Sequence, residues 1–191
     1  INIACIPTKT LVSAAAAGQS IDEAFARKTA VVTKLNGKNY HMLADNTGVM
    51  VIDGTASFVD AHTVSVQAGE DHIELQAERL FINTGAVPVM PAIAGIEQSA
   101  HVYTSTEVLN QLKPRRLAVI GAGPIGLEFA STYAALGVKV TLYHRRAQLL
   151  PHDEPSVAQA VAQALEEQGI RLVLASDIQQ VRDTDHGVAV I

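Results

Sequence analysis

The chain has little of several residue types. Among its 191 residues there is one cysteine, no tryptophan and only 4% aromatic residues. A single thiol excludes a disulfide within these residues, and cysteine poverty is typical of the reducing cytoplasm, where we expect this protein. No apolar run approaches the roughly 20 residues of a membrane-spanning helix, so we expect no membrane partner. A formal net charge of −5 argues against nucleic acid as a partner. The seven histidines show no metal-ligand spacing, so we assign no metal site.

The one cysteine, Cys5, lies in the run Ala4-Cys5-Ile6-Pro7-Thr8-Lys9. Pro7 disfavours the α conformation of the residue before it, so the pattern predicts that Cys5 precedes a helix beginning at about Thr8. The N-terminus of such a helix, with the lysine nearby, would favour a thiolate. The alternative is a small buried hydrophobe, a common role of lone cysteines. Redox chemistry on a dithiol would need a second sulfur.

This run resembles the active-site segment of the FAD-dependent pyridine nucleotide-disulfide oxidoreductases of class I, the family of glutathione reductase, lipoamide dehydrogenase and mercuric reductase. The family motif has two cysteines separated by four residues and followed by Ile/Val-Pro-Thr/Ser-Lys. The resemblance makes Cys5 the second, flavin-proximal cysteine and places the first, which would attack the substrate, immediately before Ile1. Ala4 departs from the glycine usual in the family, a change that bears on how tightly the backbone turns there.

The hydrophobic pattern changes along the chain. It predicts one helix from about Thr8 to Ala17 and a second from near Ser20. Beyond Asn46 the period is two, and we predict an antiparallel insert with strands near 49–52, 56–59, 63–67 and 73–77. The more continuously apolar run 79–83 is typical of a strand buried on both faces of a parallel sheet.

A glycine-rich motif, Gly121-Ala122-Gly123-Pro124-Ile125-Gly126, follows the predicted buried strand 117–120 and opens a predicted helix through about Leu136. A strand over 138–143 completes a β-α-β unit, the context in which Gly-x-Gly-x-x-Gly indicates dinucleotide binding rather than a plain turn. The first glycine permits the tight turn, the second lets a pyrophosphate approach the backbone, and the third lets the helix pack closely. The helix N-terminus would supply the anion site.

The residues at the end of the second strand of this unit are His144-Arg145-Arg146. A carboxylate there would bind the ribose hydroxyl of NAD, and none is present. Guanidinium groups are bidentate phosphate donors, so we predict NADPH as the cofactor, with NADH possible. The alternative is a solvated basic pair at a strand end.

The family resemblance implies roles for further residues. Ala56, in a run matched by Gly54 to Phe58, and Thr84 with Gly85 would lie on the FAD side, although Gly54 and Gly85 read locally as turn glycines. Glu128 would pair with Lys9 beside the flavin, which makes Cys5, Lys9 and Glu128 the predicted catalytic residues. For Glu128 the alternative is an exposed acid near a helix N-terminus.

Two more positions follow from the resemblance. Ile178 would lie against the adenine end of the nicotinamide cofactor. Pro124 stands where glutathione reductase has an aromatic residue over the flavin, so that ring cannot gate the nicotinamide pocket here.

We therefore predict an α/β protein with a Rossmann-like FAD/NAD(P)-binding fold, parallel sheets and antiparallel meander inserts. We expect residues 1–112 to be a partial FAD domain without its first β-α-β unit and residues 113–191 a partial NAD(P) domain, both cut from a longer chain. The resemblance implies hydride transfer from NADPH to FAD, a Cys-x4-Cys redox disulfide, and a homodimer built by a C-terminal domain that would carry the catalytic histidine.

The sequence does not decide which molecule accepts the electrons. The stretches around Lys38-Asn39-Tyr40-His41 and Val51-Ile52-Asp53-Gly54 resemble a bacterial branch that includes a reactive-chlorine-resistance flavoprotein with copper(II) reductase activity. A metal ion or oxidant is then as good an acceptor as a small disulfide. The alternatives are an NAD-dependent lipoamide dehydrogenase, which usually has an acid at the position of His144, and a catalytically silent nucleotide-binding homologue.

Overall fold

A computed structural model describes residues 3, 5–110 and 112–191. The chain forms two compact units, one comprising Ile1–Leu35 with Pro88–Ile191 and the other comprising Asn36–Val87. The helices and strands of the two units, in chain order, are α1 (Cys5–Ala16), α2 (Ile21–Ala44), β1 (Thr55–Phe58), β2 (Thr63–Ala68), β3 (Asp71–Gln76), a short 3-10 helix (Glu107–Leu109), β4 (Arg116–Ile120), α3 (Pro124–Ala135), β5 (Lys139–Tyr143), α4 (Pro155–Glu167), β6 (Arg171–Val173), β7 (Val181–Thr184) and β8 (Gly187–Val190).

Both N-terminal helices form where their sequence signals lie, with one correction. α1 begins at Cys5 rather than at Thr8, because Pro7 in the first turn gives up an N–H that has no intrahelical acceptor there. Ahead of α2, the carboxylate of Glu23 accepts hydrogen bonds from the backbone N–H of Ser20 at 2.8 Å and from its hydroxyl at 2.7 Å. The Glu23 N–H donates back to the Ser20 hydroxyl at 3.3 Å. This capping box fixes the start of α2.

A parallel sheet in the order β4-β5-β6 is the centre of the larger unit. The register pairs Arg116 with Lys139 and Thr141 with Arg171. Leu142 on the central strand is fully buried and belongs to one core with residues of α1, α2 and α3, among them Leu11, Phe25 and Tyr133. The β-α-β unit predicted around the glycine motif is therefore present, and α1 packs on its first helix.

The smaller unit contains an antiparallel meander, β1-β2-β3, with Ala56 opposite Val66 and Val66 opposite Ile73. A second antiparallel pair, β7 with β8, lies in the larger unit. The mixed fold with parallel and antiparallel sheets agrees with the prediction. Among the described residues, no helix is both long and apolar enough to cross a bilayer.

Three strand predictions need correction. The run 49–52 and the run 79–83 form no strand, and Phe81 is 90% exposed. An extended apolar segment becomes a strand only where another strand takes up its N–H and C=O groups, and the described residues offer these runs none. The run 117–120 does form a strand, but it is not buried on both faces, because the side chains of Ala118 and Ile120 on one face of β4 are exposed.

Candidate functional site

The first feature of the site is an ion pair between two helices. Lys9 Nζ on α1 lies 2.5 Å from Glu128 Oε1 on α3, although the residues are 119 positions apart. The Lys9 side chain is 69% exposed and that of Glu128 28%. The hydrogen bond and the negative charge of Glu128 raise the pKa of Lys9. Exposed ion pairs contribute little to stability, so this pair adds little to what holds the two helices together.

Cys5 is an exposed free thiol at the start of α1. Cys5 and Lys9 are four residues apart on one helix, so their side chains project from the same face. Among the causes that raise the pKa of Lys9, the Coulombic effect of Cys5 is smaller than the hydrogen bond and the charge of Glu128. The structure thus brings together the three predicted catalytic residues, with Lys9 as the link. Of the predicted spacers before Cys5, Ile1, Asn2 and Ala4 lie outside the described residues.

The glycine-rich turn connects β4 to α3. Each of its three positions favours glycine for a different physical reason. Gly121 has a φ of +107°, a conformation that side chains rarely tolerate. A Cβ on Gly126 would lie 2.0 Å from the Gly121 carbonyl oxygen, whereas a Cβ on Gly123 would meet nothing within 4 Å. Gly126 therefore permits close packing of the helix on the turn. Gly123, the N-cap of α3, leaves open space where a phosphate could approach the helix N-terminus.

The other residues of this turn differ in exposure. Ala122 is fully buried, while Ile125 is 62% exposed on the first turn of α3. Pro124 is at the first position of the helix, where its missing N–H costs nothing. The turn therefore fits a dinucleotide pyrophosphate, with backbone N–H groups at an open helix end.

His144 follows β5 and contacts the glycine-rich turn. Its Nδ1 accepts a hydrogen bond of 3.4 Å from the Ala122 N–H. Its Nε2 is buried and has no hydrogen-bond partner among the described residues. Burial, followed by the charges of Arg146 and Arg145, lowers the pKa of His144. Sequence reasoning treated this residue only as part of a basic run. Its place at the strand end beside a Gly-x-Gly-x-x-Gly turn was the available signal.

Arg145 and Arg146 are exposed, and within the described part of the chain neither has a carboxylate partner. The Ala175 N–H donates to the Arg146 carbonyl at 2.9 Å, and the Ser176 N–H donates to that of His144 at 3.0 Å. These bonds draw the segment after β6 towards the strand end. Ile178 follows on this segment and is half-buried.

The predicted FAD-side residues belong to the smaller unit. Ala56 lies in β1, and Gly85, with a φ of +81°, follows Thr84 in an exposed extended segment. A Cβ on Gly54 would lie 2.6 Å from the Gln67 carbonyl oxygen, so this glycine serves a close backbone approach rather than only a turn. The assignments to FAD of Ala56, Thr84 and Gly85 stay predictions, as do the other cofactor and catalytic assignments.

Comparison with known proteins places these features in a family. The whole chain, residues 1–191, matches the family described as "Pyridine nucleotide-disulphide oxidoreductase". It is 40% identical over 191 residues to the "Probable pyridine nucleotide-disulfide oxidoreductase RclA" of Escherichia coli strain K12, a match that covers 100% of this chain and 43% of that protein. It is 35% identical over 202 residues to a mercuric reductase of Lysinibacillus sphaericus, covering 96% of this chain and 36% of the relative.

A solved structure agrees with these relatives. The "Cu(II) complex of HOCl-induced flavoprotein disulfide reductase RclA from Escherichia coli" superposes with a TM-score of 0.95 at 40% identity, over 100% of this chain and 43% of that one. The present chain thus spans less than half the length of these relatives. The prediction of the family is confirmed: the chain belongs to the pyridine nucleotide-disulphide oxidoreductases, a family of FAD-dependent enzymes.

Proposed function

We propose that this chain, as part of a longer flavoprotein, passes a hydride from NADPH to FAD and then electrons to a Cys-x4-Cys disulfide that contains Cys5. The observation that carries the proposal is the contact of Lys9 with Glu128 at 2.5 Å. When bound, FAD would supply the two-electron chemistry between the nicotinamide and the disulfide. The chain's own residues would position the two ends of that route.

The helices supply this positioning. Glu128 lies four residues into α3, about 6 Å along its axis at 1.5 Å per residue. The same helix starts at the turn that fits a pyrophosphate. Its first turn and a half therefore joins the dinucleotide turn to the Lys9 amino group, and Lys9 shares a helix face with Cys5. This geometry supports a site in which nicotinamide and thiol chemistry share one lysine–glutamate pair.

A Glu128→Gln substitution tests the proposal. The amide keeps the shape of the carboxylate but loses the charge that holds Lys9, so we expect the rate of flavin reduction by NADPH to fall by about tenfold, equal to roughly 1.4 kcal/mol of barrier. Stopped-flow absorbance of the intact, FAD-loaded protein measures it. Glu166→Gln, on the exposed side of α4, is the matched control and should leave the rate unchanged. An unchanged rate in Glu128→Gln would contradict the proposal.

The preference for NADPH rests on the exposed guanidinium groups of Arg145 and Arg146 at the end of β5. We expect NADPH to bind at least about tenfold more tightly than NADH at low salt, because two free guanidinium groups favour a 2′-phosphate and salt screens them. Replacing both arginines by alanine should remove most of the difference in a binding titration. Arg171→Ala, an exposed change at the opposite end of β6, should not. Equal affinities in the wild-type protein would exclude the preference.

For the acceptor, we propose a metal ion or oxidant alongside a small disulfide. Names of the relatives support this breadth, since they include a mercuric reductase and a Cu(II) complex of an HOCl-induced flavoprotein. Steady-state NADPH oxidation with Cu(II), Hg(II) and a disulfide in turn would rank the acceptors. We also propose that the intact protein is a homodimer, which sedimentation would check. We propose that it is located in the cytoplasm.

A cysteine immediately before Ile1 would separate this enzyme from a catalytically silent homologue. Any other residue there would break the dithiol route.

A further inference from the structure

The last residue of β5 and the segment that follows it hold the first half of the glycine-rich turn through three hydrogen bonds. The Gly121 N–H donates to the Tyr143 carbonyl at 2.9 Å, and the Ala122 carbonyl accepts from the Leu150 N–H at 3.2 Å. The Ala122 N–H donates to His144 Nδ1. These are two backbone contacts and one side-chain contact. Only the contact through His144 can be altered by substitution or by protonation.

Backbone strain at Leu150 is an independent sign that these contacts hold the turn. Its φ is +45°, a left-handed conformation that is unfavourable for a residue with a γ-branched side chain. Such strain persists only where the surroundings impose it. Here the strained residue is Leu150, whose N–H donates to the Ala122 carbonyl and whose own carbonyl accepts from the Asp153 N–H at 2.9 Å. The backbone of Leu150 is therefore held on both sides.

The Ala122 N–H would otherwise have no such partner. Ala122 is fully buried, and a buried N–H without an acceptor is unfavourable. The peptide joins Ala122 to Gly121, whose lack of a side chain allows other backbone orientations. Without the imidazole acceptor, the peptide would lose the hydrogen bond on its N–H, and fewer molecules would keep the turn in the shape that fits a pyrophosphate.

We propose that His144 is a positioning residue that fixes the Gly121–Ala122 peptide, and so the dinucleotide-binding turn, by accepting the Ala122 N–H at Nδ1. The inference rests on the proposed function, because it assumes that the turn binds a pyridine dinucleotide. In this arrangement the ring is a neutral tautomer with its proton on Nε2, where the N–H has no partner among the described residues. Protonation at Nδ1 would set one N–H against another and release the peptide.

The charged groups around His144 favour the neutral ring. Arg145 and Arg146 follow it, and together with burial they lower its pKa. Residues 121–126 of the turn and residues 173–176, from the last residue of β6 onwards, carry no titratable side chain. In the segment that reaches Ala122 through Leu150, the titratable groups are His152 and Asp153. The turn should therefore keep its shape at neutral pH and lose it only in acid, below the ordinary pKa of about 6.5.

The test uses NADH, which has no 2′-phosphate to titrate, in anaerobic calorimetric titrations of the intact, FAD-loaded protein from pH 7.5 to pH 5. The flavin is reduced with dithionite beforehand, so that NADH binds without passing on its hydride. The wild-type affinity should fall as the pH falls, because a turn with fewer competent molecules binds more weakly in proportion. His144→Leu removes the acceptor and should weaken NADH binding about tenfold at pH 7.5. His144→Asn keeps an oxygen acceptor near the position of Nδ1 and should stay close to wild type with no pH dependence in this range.

His152→Asn is the matched control and should follow the wild-type profile. Wild-type binding of NADH that strengthens in acid would overturn the inference, because it would mean that His144 acts as a cation on the phosphates. Equal binding by wild type and His144→Leu would also overturn it while leaving the proposed function intact. A wild-type protein that binds neither NADH nor NADPH would overturn both. If His144→Leu does not fold, His144→Asn and the wild-type profile still decide the question.

Discussion

Two apolar runs of similar composition adopt different secondary structure in this protein. Leu117-Ala118-Val119-Ile120 forms most of β4, while Leu80-Phe81-Ile82 forms no strand. Burial alone does not separate them, since Ile120 is itself 40% exposed, against 72% for Ile82. β4 has β5 as a parallel partner over five residue pairs, and the described residues provide no strand beside 80–82. The comparison shows that side chains favour an extended backbone, and that a pairing partner makes it a strand.

The largest expected effect contrasts the buried centre of the sheet that pairs with β4 and the exposed run 80–82. Leu142→Ala, in the fully buried centre of the sheet, should lower the free energy of unfolding by about 3 kcal/mol, because it removes methylene contacts and leaves a cavity. Phe81→Ala, at a side chain 90% exposed, should change it by less than about 0.5 kcal/mol. Urea unfolding followed by circular dichroism measures both. A comparable loss for Phe81→Ala would show that Phe81 is packed against something beyond the described residues.

A second prediction distinguishes two roles of glycine in the glycine-rich turn, close packing at Gly126 and room for a ligand at Gly123. Gly126→Ala would place a Cβ 2.0 Å from the Gly121 carbonyl oxygen, so we expect a loss of about 2 kcal/mol in unfolding free energy, as for other overpacked sites. Gly123→Ala has open space around it and should keep the stability within about 1 kcal/mol.

Both alanine variants should weaken NADPH binding in a titration, for different reasons. Gly126→Ala displaces the turn, and Gly123→Ala fills the space left for the pyrophosphate. Normal stability of Gly126→Ala, or normal NADPH affinity of Gly123→Ala, would refute this division of roles.

The smallest expected effect on the free energy of unfolding concerns the Leu112 carbonyl, just before β4. The fully buried Tyr133 on α3 donates its hydroxyl hydrogen bond to the Leu112 carbonyl at 2.9 Å. Tyr133→Phe should lose about 1 kcal/mol of stability. This loss would show that the backbone at Leu112, just before β4, contributes to stability through its contact with α3, unlike the exposed run 80–82.

The same residue gives a pH dependence. Burial raises the pKa of Tyr133 above its ordinary value of 10.0, so the neutral phenol is the form that the fold favours. Its contribution is fully present below about pH 10, the unfolded value, and is lost as the pH rises above it. Tyr133→Phe should therefore lose less stability than wild type between about pH 9 and pH 11. The exposed Tyr40→Phe should behave as wild type in the same unfolding series, and a Tyr133→Phe profile parallel to wild type would disprove the assignment.

Local signals predicted much of this fold. The Ser20–Glu23 capping box marks the start of α2 close to the predicted position, and the glycine motif lies between β4 and α3 as its spacing indicated. Each depends on residues close together in the chain, where backbone chemistry leaves few alternatives. The predicted start of α1 lies three residues late, since a proline is tolerated throughout a first helical turn.

Of the candidate site, the residue types could be read from the chain, but their contacts could not. Pairing of Lys9 with Glu128 was implied by family resemblance alone, and nothing in the spacing of two residues 119 positions apart predicts it. The contact of His144 with Ala122 was not predicted by any route. Both depend on how α1 and β5 pack around α3, which is a matter of the shared core.

The amino-acid sequence by itself determined the β-α-β unit, its glycine turn, the start of α2 and the family. Each of these depends on short runs of residues, and in the structural ones local sterics and hydrogen bonding set the backbone conformation. Tertiary structure alone decided which apolar runs became strands, which carboxylate meets Lys9, and which side chain holds the dinucleotide turn. The physical reason is that each of these depends on a partner supplied from far along the chain, and only packing brings the partners together.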